Sequence, residues 1–458
     1  MILPESLGCD DYKRRHGINY AYATGGMYHG IASKELVTAM ANNGFMGFFG
    51  AGGLSLEKIE EAIVFLKNQV NGTNYGINIL YNHIVSAKES AIVDLLLKHG
   101  IRNVEAASFA LITSEIVRYR LSGIFREEDG TVTTINNVMA KVSRIEVARA
   151  FMSPCPENII EQLLKQGKIS VNEAAMSREI PVANEICVEA ESAGHTDRRP
   201  ANIVLPTIIK LRDALTLKYE YGEKICVGSA GGIGTPESAA AAYVMGADFI
   251  LTGSINQCTT ESGTHSFVKE MLSKMGTEDT EFTPTGDMFE TDAKIQVLRK
   301  GLLFPVRAKK LHSLYNKYNS LNELSAEEND ALINKIFNGK SFDEVFDEAK
   351  TYFPKELVEK AELDPKVRMG LIFKVYFYLS IKNAYSGNIA EKINFQIHTG
   401  PAMGAFNDYI EGTELEEYTK RSAPKIAKRL MEDAALKLNA YYESFKKPEL
   451  VPDLIDKK

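Results

Sequence analysis

The stretch that decides the fold is "KICVGSAGGIGTPESAAAAYVMGADFILTGSINQ", residues Lys224–Gln257. It contains two apolar runs typical of buried strands, followed by Gly231 and Gly232 in the first case and by Gly253 in the second. Between the runs, Thr235-Pro236 is a typical helix start, with a capping hydroxyl and a proline in the first turn. The stretch therefore predicts strand, glycine-rich turn, helix, strand and a second glycine-rich turn.

The same alternation extends upstream. Short apolar or β-branched runs end in Gly, Ser or Asn, and several are separated by amphipathic segments such as "SLEKIEEAIVFLKNQ". Eight such units within about 250 residues predict a closed (β/α)8 TIM barrel rather than a doubly wound sheet. The eight runs begin at Asn19, Gly44, Asn74, Arg102, Val138, Glu185, Lys224 and Asp248.

The sequence after residue 258 no longer alternates between strand-like and helix-like segments. After residue 258 the strand runs disappear, and Lys/Glu/Leu-rich helical patterns continue to a long final helix within residues 413–446. We therefore expect two domains packed together, a barrel at residues 1–258 and a mostly helical domain at residues 259–458. Residues 109–137 and 144–184 are longer than ordinary barrel connections, and we expect them to decorate the barrel.

The composition narrows the class of protein. With 458 residues, 45% hydrophobic and 25% charged, the chain is typical of a soluble enzyme. A net charge of -7 argues against a nucleic-acid binder, which leaves small molecules or proteins as partners. The five cysteines lack the spacing of a metal site. No signal peptide is visible, and Lys374 interrupts the longest apolar run, so we expect a cytoplasmic protein without a membrane span.

The two glycine-rich turns predict a phosphate site. In TIM barrels the loops after strands seven and eight commonly bind phosphate. Gly231 and Gly232 would let backbone N–H groups approach an anion at the start of the following helix, and Gly253 and Ser254 would add donors. Alternatively, these glycines only make tight turns. The dinucleotide pattern in "GAGGLS" is incomplete and no P-loop is present, so the phosphate is interpreted as that of a mononucleotide.

Two other strand ends carry residues suited to a planar cofactor. Gly25 and Gly26 follow strand one and would let a flat ring lie against the backbone. Met27 would offer a backbone N–H and a soft side chain. Asn78 near the end of strand three would orient a ring carbonyl or a ribityl hydroxyl.

Charged residues lie near two further strand ends. Lys141 on strand five would stabilise negative charge on a reduced ring. Strand six leads through Glu189 to His195, a candidate acid near neutral pH. Each residue also has a structural interpretation, since a lysine can extend to solvent and a histidine can simply complete a turn.

Several segments together resemble one known family. They are "ATGGMYHGIASKELVTAMANNGFMGFFGAGGL", "EAESAGHTDRRP", "SAGGIGTPESAAAAYVMGADFILTGSINQ", "FPVRAKKLHSLY" and "GPAMGAFNDYIEGT". Over nearly its whole length the chain resembles the stand-alone, trans-acting enoyl reductases of polyketide and polyunsaturated fatty acid synthases. The barrel half is more distantly similar to flavin enoyl reductases and nitronate monooxygenases. Where those proteins have Gly-Gly-His, this chain has Ala193-Gly194-His195, so Gly194 and the histidine are retained.

The resemblance implies an FMN-dependent barrel. It would pass hydride from NADPH through FMN to the β-carbon of a 2-enoyl thioester held on an acyl carrier protein. The compact basic clusters "YKRRH" from Tyr12 and "RAKKLH" from Arg307 are candidate docking sites for that carrier. A helical tail on a barrel also suggests a homodimer.

Two alternatives stay open from the sequence. The first is a nitronate monooxygenase in which O2 reoxidises the flavin, and the second is a scaffold built on an inactive barrel. The helical tail favours the reductase, because the resemblance to the monooxygenases does not account for it. Convergent polar residues and phosphate loops argue against the scaffold.

Overall fold

The computed structural model describes residues 1–81, 86–194 and 197–446, which centre on a closed barrel of parallel strands. Around the barrel the strand order is β1-β10-β9-β8-β7-β4-β3-β2, which confirms the predicted TIM barrel and its eight strands. The strands are β1 (Tyr22–Thr24), β2 (Met46–Gly50), β3 (Tyr75–Leu80), β4 (Asn103–Ala107), β5 (Phe125–Arg126), β6 (Val132–Thr133), β7 (Asn137–Val142), β8 (Glu185–Glu189), β9 (Cys226–Ala230), β10 (Ile250–Thr252), β11 (Thr280–Pro284) and β12 (Lys294–Leu298).

Helices cover the outside of the barrel and form most of the remaining chain. Their apolar faces and the outer faces of the strands share one large hydrophobic core. The α-helices are α1 (Asp10–His16), α2 (Lys34–Asn42), α3 (Leu56–Gln69), α4 (Ser86–His99), α5 (Ser114–Leu121), α6 (Ile145–Phe151), α7 (Glu157–Lys165), α8 (Val171–Met176), α9 (Ala201–Tyr219), α10 (Pro236–Val244), α11 (Ser266–Ser273), α12 (Phe304–Lys317), α13 (Ala326–Lys335), α14 (Phe342–Tyr352), α15 (Lys355–Leu363), α16 (Pro365–Ser386), α17 (Ala402–Tyr409) and α18 (Ala423–Lys446).

The two long connections decorate the barrel. Residues 109–137 form α5 and the β5–β6 hairpin, while residues 144–184 form the short helices α6, α7 and α8. Neither connection interrupts the barrel, because β4 pairs directly with β7, and β7 with β8.

Helix α1 closes the amino-terminal end of the barrel. Its Tyr12 ring stacks on Phe249 at 4.3 Å between centroids, and His16 Nε2 lies 2.6 Å from Glu185 Oε1 at the start of β8. Arg15 donates to the same Glu185 oxygen at 3.0 Å. The cluster "YKRRH" is therefore partly buried and paired at the end of the barrel opposite the strand carboxyl ends, and its role as a docking site stays a prediction.

The last helix completes the ring of helices around the barrel. Helix α18 packs against α10 and α2, and its Leu430 and Met431 are fully buried in the barrel's outer core. It therefore occupies the position that a helix directly after β10 would take. The predicted boundary at residue 258 stays a prediction, and the structure adds that the chain returns to the barrel after it.

The region between β10 and α18 is mostly helical, with its own core around α12, α14 and α16. It also contains an antiparallel hairpin, β11–β12, although the strand runs were expected to end at residue 258. The hairpin was missed because "TEFTP" and "KIQVL" are short and half polar, and cross-strand pairing rather than local pattern stabilises them. Among the described helices, none is long and apolar enough to cross a membrane.

Candidate active site

The strand register places four polar side chains on the inner face of the barrel. Asn78 pairs with Glu105 across β3 and β4, and Glu105 pairs in turn with Met139 on β7. Residues two apart on a strand point to the same side, so Lys141 follows Met139 on that face. Glu189 on β8 lies two residues beyond Cys187, the partner of Lys141. Along the barrel axis, Asn78 and Glu105 therefore lie at one level, and Lys141 and then Glu189 lie successively closer to the carboxyl ends of the strands.

Glu105 is the centre of this group. Its Oε2 accepts hydrogen bonds from the Gly26 backbone N–H at 2.8 Å and from Asn78 Nδ2 at 2.7 Å. Lys141 Nζ lies 3.2 Å from Glu189 Oε1 and 3.8 Å from Glu105 Oε1. The structure thus brings together four predicted residues, Gly26, Asn78, Lys141 and Glu189, around a carboxylate that the sequence interpretation did not single out.

A sequence signal for Glu105 did exist. It is the one charged residue inside β4, "NVEAA", where it lies between Val104 and Ala106, and its side chain is fully buried. A charged residue in the middle of an otherwise apolar barrel strand is unusual unless it is paired. That contrast would have predicted an inward-facing functional carboxylate.

Burial and charge pairing shift the pKa values of this group. Burial raises the pKa of Glu105 above its ordinary value, against the opposing effects of the Lys141 ammonium and the donors Gly26 and Asn78. Burial alone would lower the pKa of Lys141, but the carboxylates of Glu189 and Glu105 raise it. Lys141 therefore remains a cation inside the barrel.

The two glycine loops differ in how much space surrounds each glycine, and their role in binding phosphate stays a prediction. Gly231 (φ +87°) passes so close to the next loop that a Cβ would lie 2.6 Å from the Glu191 carbonyl oxygen. Gly232 (φ +71°) and Gly253 instead face open space, with no atom within 4 Å of a Cβ position. Helix α10 begins directly after this loop, capped by the Thr235 hydroxyl, which accepts from Ser238 N at 3.3 Å.

The first-strand loop is packed against protein. A Cβ on Gly25 would lie 2.6 Å from Leu251 Cδ2, and one on Gly26 would collide with the Asn78 side chain. The Met27 backbone packs directly on Gly50 at the end of β2. These glycines thus allow close approach between strands, and their contact with a planar ring stays a prediction.

Hydrogen bonds anchor both sides of the loop after β8. Ser192 Oγ donates to Glu189 Oε1 at 3.2 Å and accepts from the Gly194 backbone N–H at 3.3 Å. On the other side, Ser143 Oγ donates to Asp197 Oδ2 at 2.7 Å. His195, the predicted acid, lies outside the described residues.

The C-terminal half reaches the same end of the barrel, which the sequence interpretation did not foresee. Ser254 Oγ accepts a hydrogen bond from the Gly400 backbone N–H at 3.1 Å, so its own hydrogen can still be donated. The Gln296 backbone N–H donates to the Ala193 carbonyl oxygen at 3.2 Å. Residues beyond the barrel sequence therefore help to build the rim of the site.

Comparisons with known proteins agree with this geometry. The family profile described as "Nitronate monooxygenase" matches residues 12–291, more than half of the chain. The chain belongs to this family. A second profile, "[Acyl-carrier-protein] S-malonyltransferase, inserted helical domain", matches residues 318–395 within the helical region. Nitronate monooxygenases are flavoenzymes, so membership implies a flavin.

Similar proteins define the branch of the nitronate monooxygenase family. The enoyl reductase domain of MlnA from the macrolactin biosynthesis cluster of Bacillus amyloliquefaciens is 40% identical, with a TM-score of 0.93 over 96% of this chain and 99% of that domain. Polyketide biosynthesis protein PksE of Bacillus subtilis is 46% identical over 99% of this chain. A polyunsaturated fatty acid synthase subunit of Thraustochytrium is 40% identical over 90% of this chain. The chain therefore groups with the MlnA enoyl reductase domain and with components of polyketide and polyunsaturated fatty acid synthases.

This chain corresponds to only part of the curated relatives. It spans 59% of PksE and 28% of the Thraustochytrium synthase subunit. The shared segment is therefore only one part of those longer proteins.

The residues present suit a phosphorylated flavin. The open positions over Gly232 and Gly253 lie beside the start of α10, where backbone N–H groups favour an anion. Inside the barrel, Glu105 Oε1 is buried and has no hydrogen-bond partner among the described residues. A bound ligand with an N–H or O–H group could donate a hydrogen bond to this Glu105 oxygen.

Proposed function

We propose that this chain is an FMN-dependent enoyl reductase that reduces 2-enoyl thioesters carried by an acyl carrier protein. The observation that carries the proposal is the 40% identity to the MlnA enoyl reductase domain, which extends over the barrel and the helical region alike. Similarity confined to the barrel would support only flavin chemistry, since one fold hosts many reactions.

The glycine loops supply the phosphate site in this proposal. The backbone around Gly232 and Gly253, the Ser254 hydroxyl and the start of α10 would hold the FMN phosphate. Because Gly231 has no side chain, this loop packs directly against the loop after β8 at Glu191. The proposed phosphate site would therefore lie beside the loop that carries Gly194.

Asn78 and Lys141 would lie against the ring system. Bound FMN would supply the redox chemistry, which is hydride transfer from NADPH to the β-carbon of the enoyl thioester. The Lys141 ammonium supplies positive charge where negative charge develops, and Glu105 and Glu189 hold it in place from two sides. The protein thereby contributes orientation and electrostatic stabilisation.

A proton must also reach the α-carbon of the thioester. His195 is our proposed donor, since an imidazolium titrates near neutral pH. On one side of it, the Gly194 N–H donates to Ser192, which donates to Glu189 at the end of β8. On the other side, Asp197 accepts from Ser143, which directly follows β7. The proton source is therefore proposed on a loop whose described flanks are tied to β7 and β8.

The partner of the reaction is proposed to be an acyl carrier protein of a synthase complex. Support comes from PksE and the Thraustochytrium relative, whose names place them in polyketide and polyunsaturated fatty acid synthesis. NADPH as the hydride source, action in trans and a homodimeric assembly belong to the same proposal.

One anaerobic experiment tests the function. Purified protein is denatured to identify any released flavin, and intact protein is then mixed with NADPH or NADH and a carrier-bound 2-enoyl thioester without oxygen. We expect FMN release, oxidation of NADPH in preference to NADH, and a saturated thioester by mass spectrometry. No saturated product, with all substrates present, would contradict the proposal.

A second candidate is nitronate monooxygenase activity, favoured by the name of the matching profile. It predicts that nitroalkane is consumed in air with O2 uptake and that the enoyl thioester is ignored. The profile ends at residue 291, so this candidate leaves the helical region without a role.

A further inference from the structure

The buried carboxylate of Glu105 has a particular geometry. One oxygen, Oε2, accepts from Gly26 and Asn78, and the other, Oε1, lies 3.8 Å from Lys141 Nζ. Glu105 thus contacts the first-strand loop, β3 and β7 together.

Glu105 dictates which atom Asn78 can offer a ligand. Only the amide NH2 can donate to a carboxylate, and Asn78 Nδ2 lies 2.7 Å from Glu105 Oε2 and 3.4 Å from the Glu105 carbonyl oxygen. Both acceptors occupy the nitrogen side of the amide. The Asn78 carbonyl oxygen is therefore the atom turned away from Glu105 and available to accept from a donor.

Glu105 also limits the freedom of the other two groups. The Gly26 N–H is already used on Glu105, so that group cannot turn towards a ligand without losing a charge-assisted hydrogen bond. Lys141 is attracted by carboxylates on two sides, Glu105 and Glu189, which restrains its ammonium.

We propose that Glu105 is a positioning residue that presents the Asn78 carbonyl oxygen and the Lys141 ammonium to the flavin and sets the charge around it. The inference rests on the proposed function, because it takes FMN to be the ligand. Glu105 acts through its neighbours, and no contact between Glu105 and substrate is required.

The test compares three variants with unaltered protein. Glu105→Gln removes the charge at nearly constant shape, and Glu105→Asp keeps the charge but shortens the reach to Gly26 and Asn78. Glu185→Gln is the matched control, because Glu185 is equally buried on the same barrel but lies at the opposite end, against Arg15 and His16. Apoprotein of each variant is titrated with FMN, and the flavin midpoint potential and thermal unfolding are measured.

We expect Glu105→Gln to bind FMN about tenfold more weakly, because the hydrogen bonds from Gly26 and Asn78 would then end on a neutral amide oxygen and lose their charge assistance. Losing a negative charge near the ring should also favour the electron-rich reduced flavin about tenfold, which is about 30 mV for a two-electron couple. Glu105→Asp should weaken FMN binding with an unchanged potential. Glu185→Gln should lower thermal stability without changing either flavin property.

Each other outcome has a defined meaning. If Glu105→Gln keeps the wild-type affinity and potential, the inference is overturned. Equal losses in Glu105→Gln and Glu185→Gln also overturn it, because the effect would then be a general one on the fold. If Glu105→Gln does not fold, Glu105→Asp decides, and wild-type FMN affinity in that variant overturns the inference. Unaltered protein that binds no FMN would overturn the proposed function itself, which this experiment reports separately.

Discussion

His195 is the residue on which the proposed second half-reaction depends. Replacing it with alanine should leave FMN bound and flavin reduction by NADPH intact, since neither needs a proton from this side chain. Oxidation of the reduced enzyme by enoyl thioester should slow by about 10²- to 10⁴-fold, the usual contribution of a positioned acid. Stopped-flow mixing of pre-reduced enzyme with substrate measures that step alone.

An unchanged rate in His195→Ala would assign the proton to water, Glu189 or His29. The structure makes His29 a poor source, because burial lowers its pKa and keeps the imidazole neutral near pH 7. Glu189 accepts from Ser192 and faces Lys141 at 3.2 Å, so it would act on the same side of the barrel as Gly194.

Cys9 should be the most reactive of the five thiols. A hydrogen bond from Cys226 and the Lys224 ammonium at 3.0 Å lower the pKa of Cys9 to about 5, so at pH 7 the thiolate predominates. Burial raises the pKa of Cys258 to about 11, and that thiol stays protonated. Brief iodoacetamide treatment of native protein followed by peptide mass spectrometry should label Cys9 first.

The variant Lys224→Met tests the cause of this reactivity. Losing the ammonium should raise the pKa of Cys9 and slow its alkylation at pH 7, while alkylation of the denatured protein stays the same. Equal labelling of Cys9 and Cys258 in the native protein would show that Cys9 is not held as a thiolate.

At the scale of a single element, the β9–α10 loop should bind the phosphate. Gly232→Val should place a side chain in the open space over the loop, strain a residue with φ of +71°, and abolish FMN retention. Gly412→Val is the matched control, since Gly412 has φ of +72° and also faces open space, but lies in a turn before α18. Released FMN per protein is measured for both.

Full FMN occupancy in Gly232→Val would place the phosphate elsewhere. Loss of FMN in both glycine variants would indicate that the strain of a left-handed valine, rather than the blocked space, is responsible. The barrel fold of each variant is checked by circular dichroism.

Helix α18 should stabilise the barrel although it follows the helical region in the chain. Leu430→Ala should lower the free energy of unfolding by about 2–5 kcal/mol, because a fully buried leucine leaves a cavity between α18 and the barrel. Leu436→Ala, at a position that is 65% exposed on the same helix, should change it by less than about 0.5 kcal/mol. Denaturant unfolding measures both, and equal effects would contradict the packing of α18.

At the scale of the whole molecule, the proposed carrier protein would have to bind a chain whose net charge is -7. Lys309 and Lys310 are exposed on α12, beside a groove of about 330 Å³ that Lys309 lines together with Arg198 and the β11–β12 hairpin. Lys309 also pairs with Glu281 at 2.8 Å. This surface joins α12 to the loop that follows Asp197, so charge there can guide a partner towards the site.

Replacing both Lys309 and Lys310 with alanine should raise the apparent KM for carrier-bound substrate by about tenfold at low salt, because steering is electrostatic. A small thioester analogue should be unaffected. Arg14→Ala is the control, since Arg14 is exposed on α1 at the opposite end of the barrel. Equal changes for both substrates would mean that the lysines act on the site or the fold.

The eight barrel strands could be predicted because their signals are local. Each is an apolar run closed by Gly, Ser or Asn, and the start of α10 is a capping Thr235 followed by proline. The hairpin β11–β12 could not be predicted in this way, because its short, half-polar strands depend on pairing with each other and on α12. The packing position of α18 could not be predicted either, since its start at Ala423 lies 164 positions after Thr259 in the chain.

The sequence by itself determined the barrel, the two glycine loops and the types of residue at the strand ends. Those features follow from periodicity and from conformations that only certain residues favour. The tertiary structure alone decided that Glu105 joins Gly26, Asn78 and Lys141, and that Gly400 reaches Ser254. Such contacts depend on strand register and on the return path of the chain, which bring together residues up to 146 positions apart.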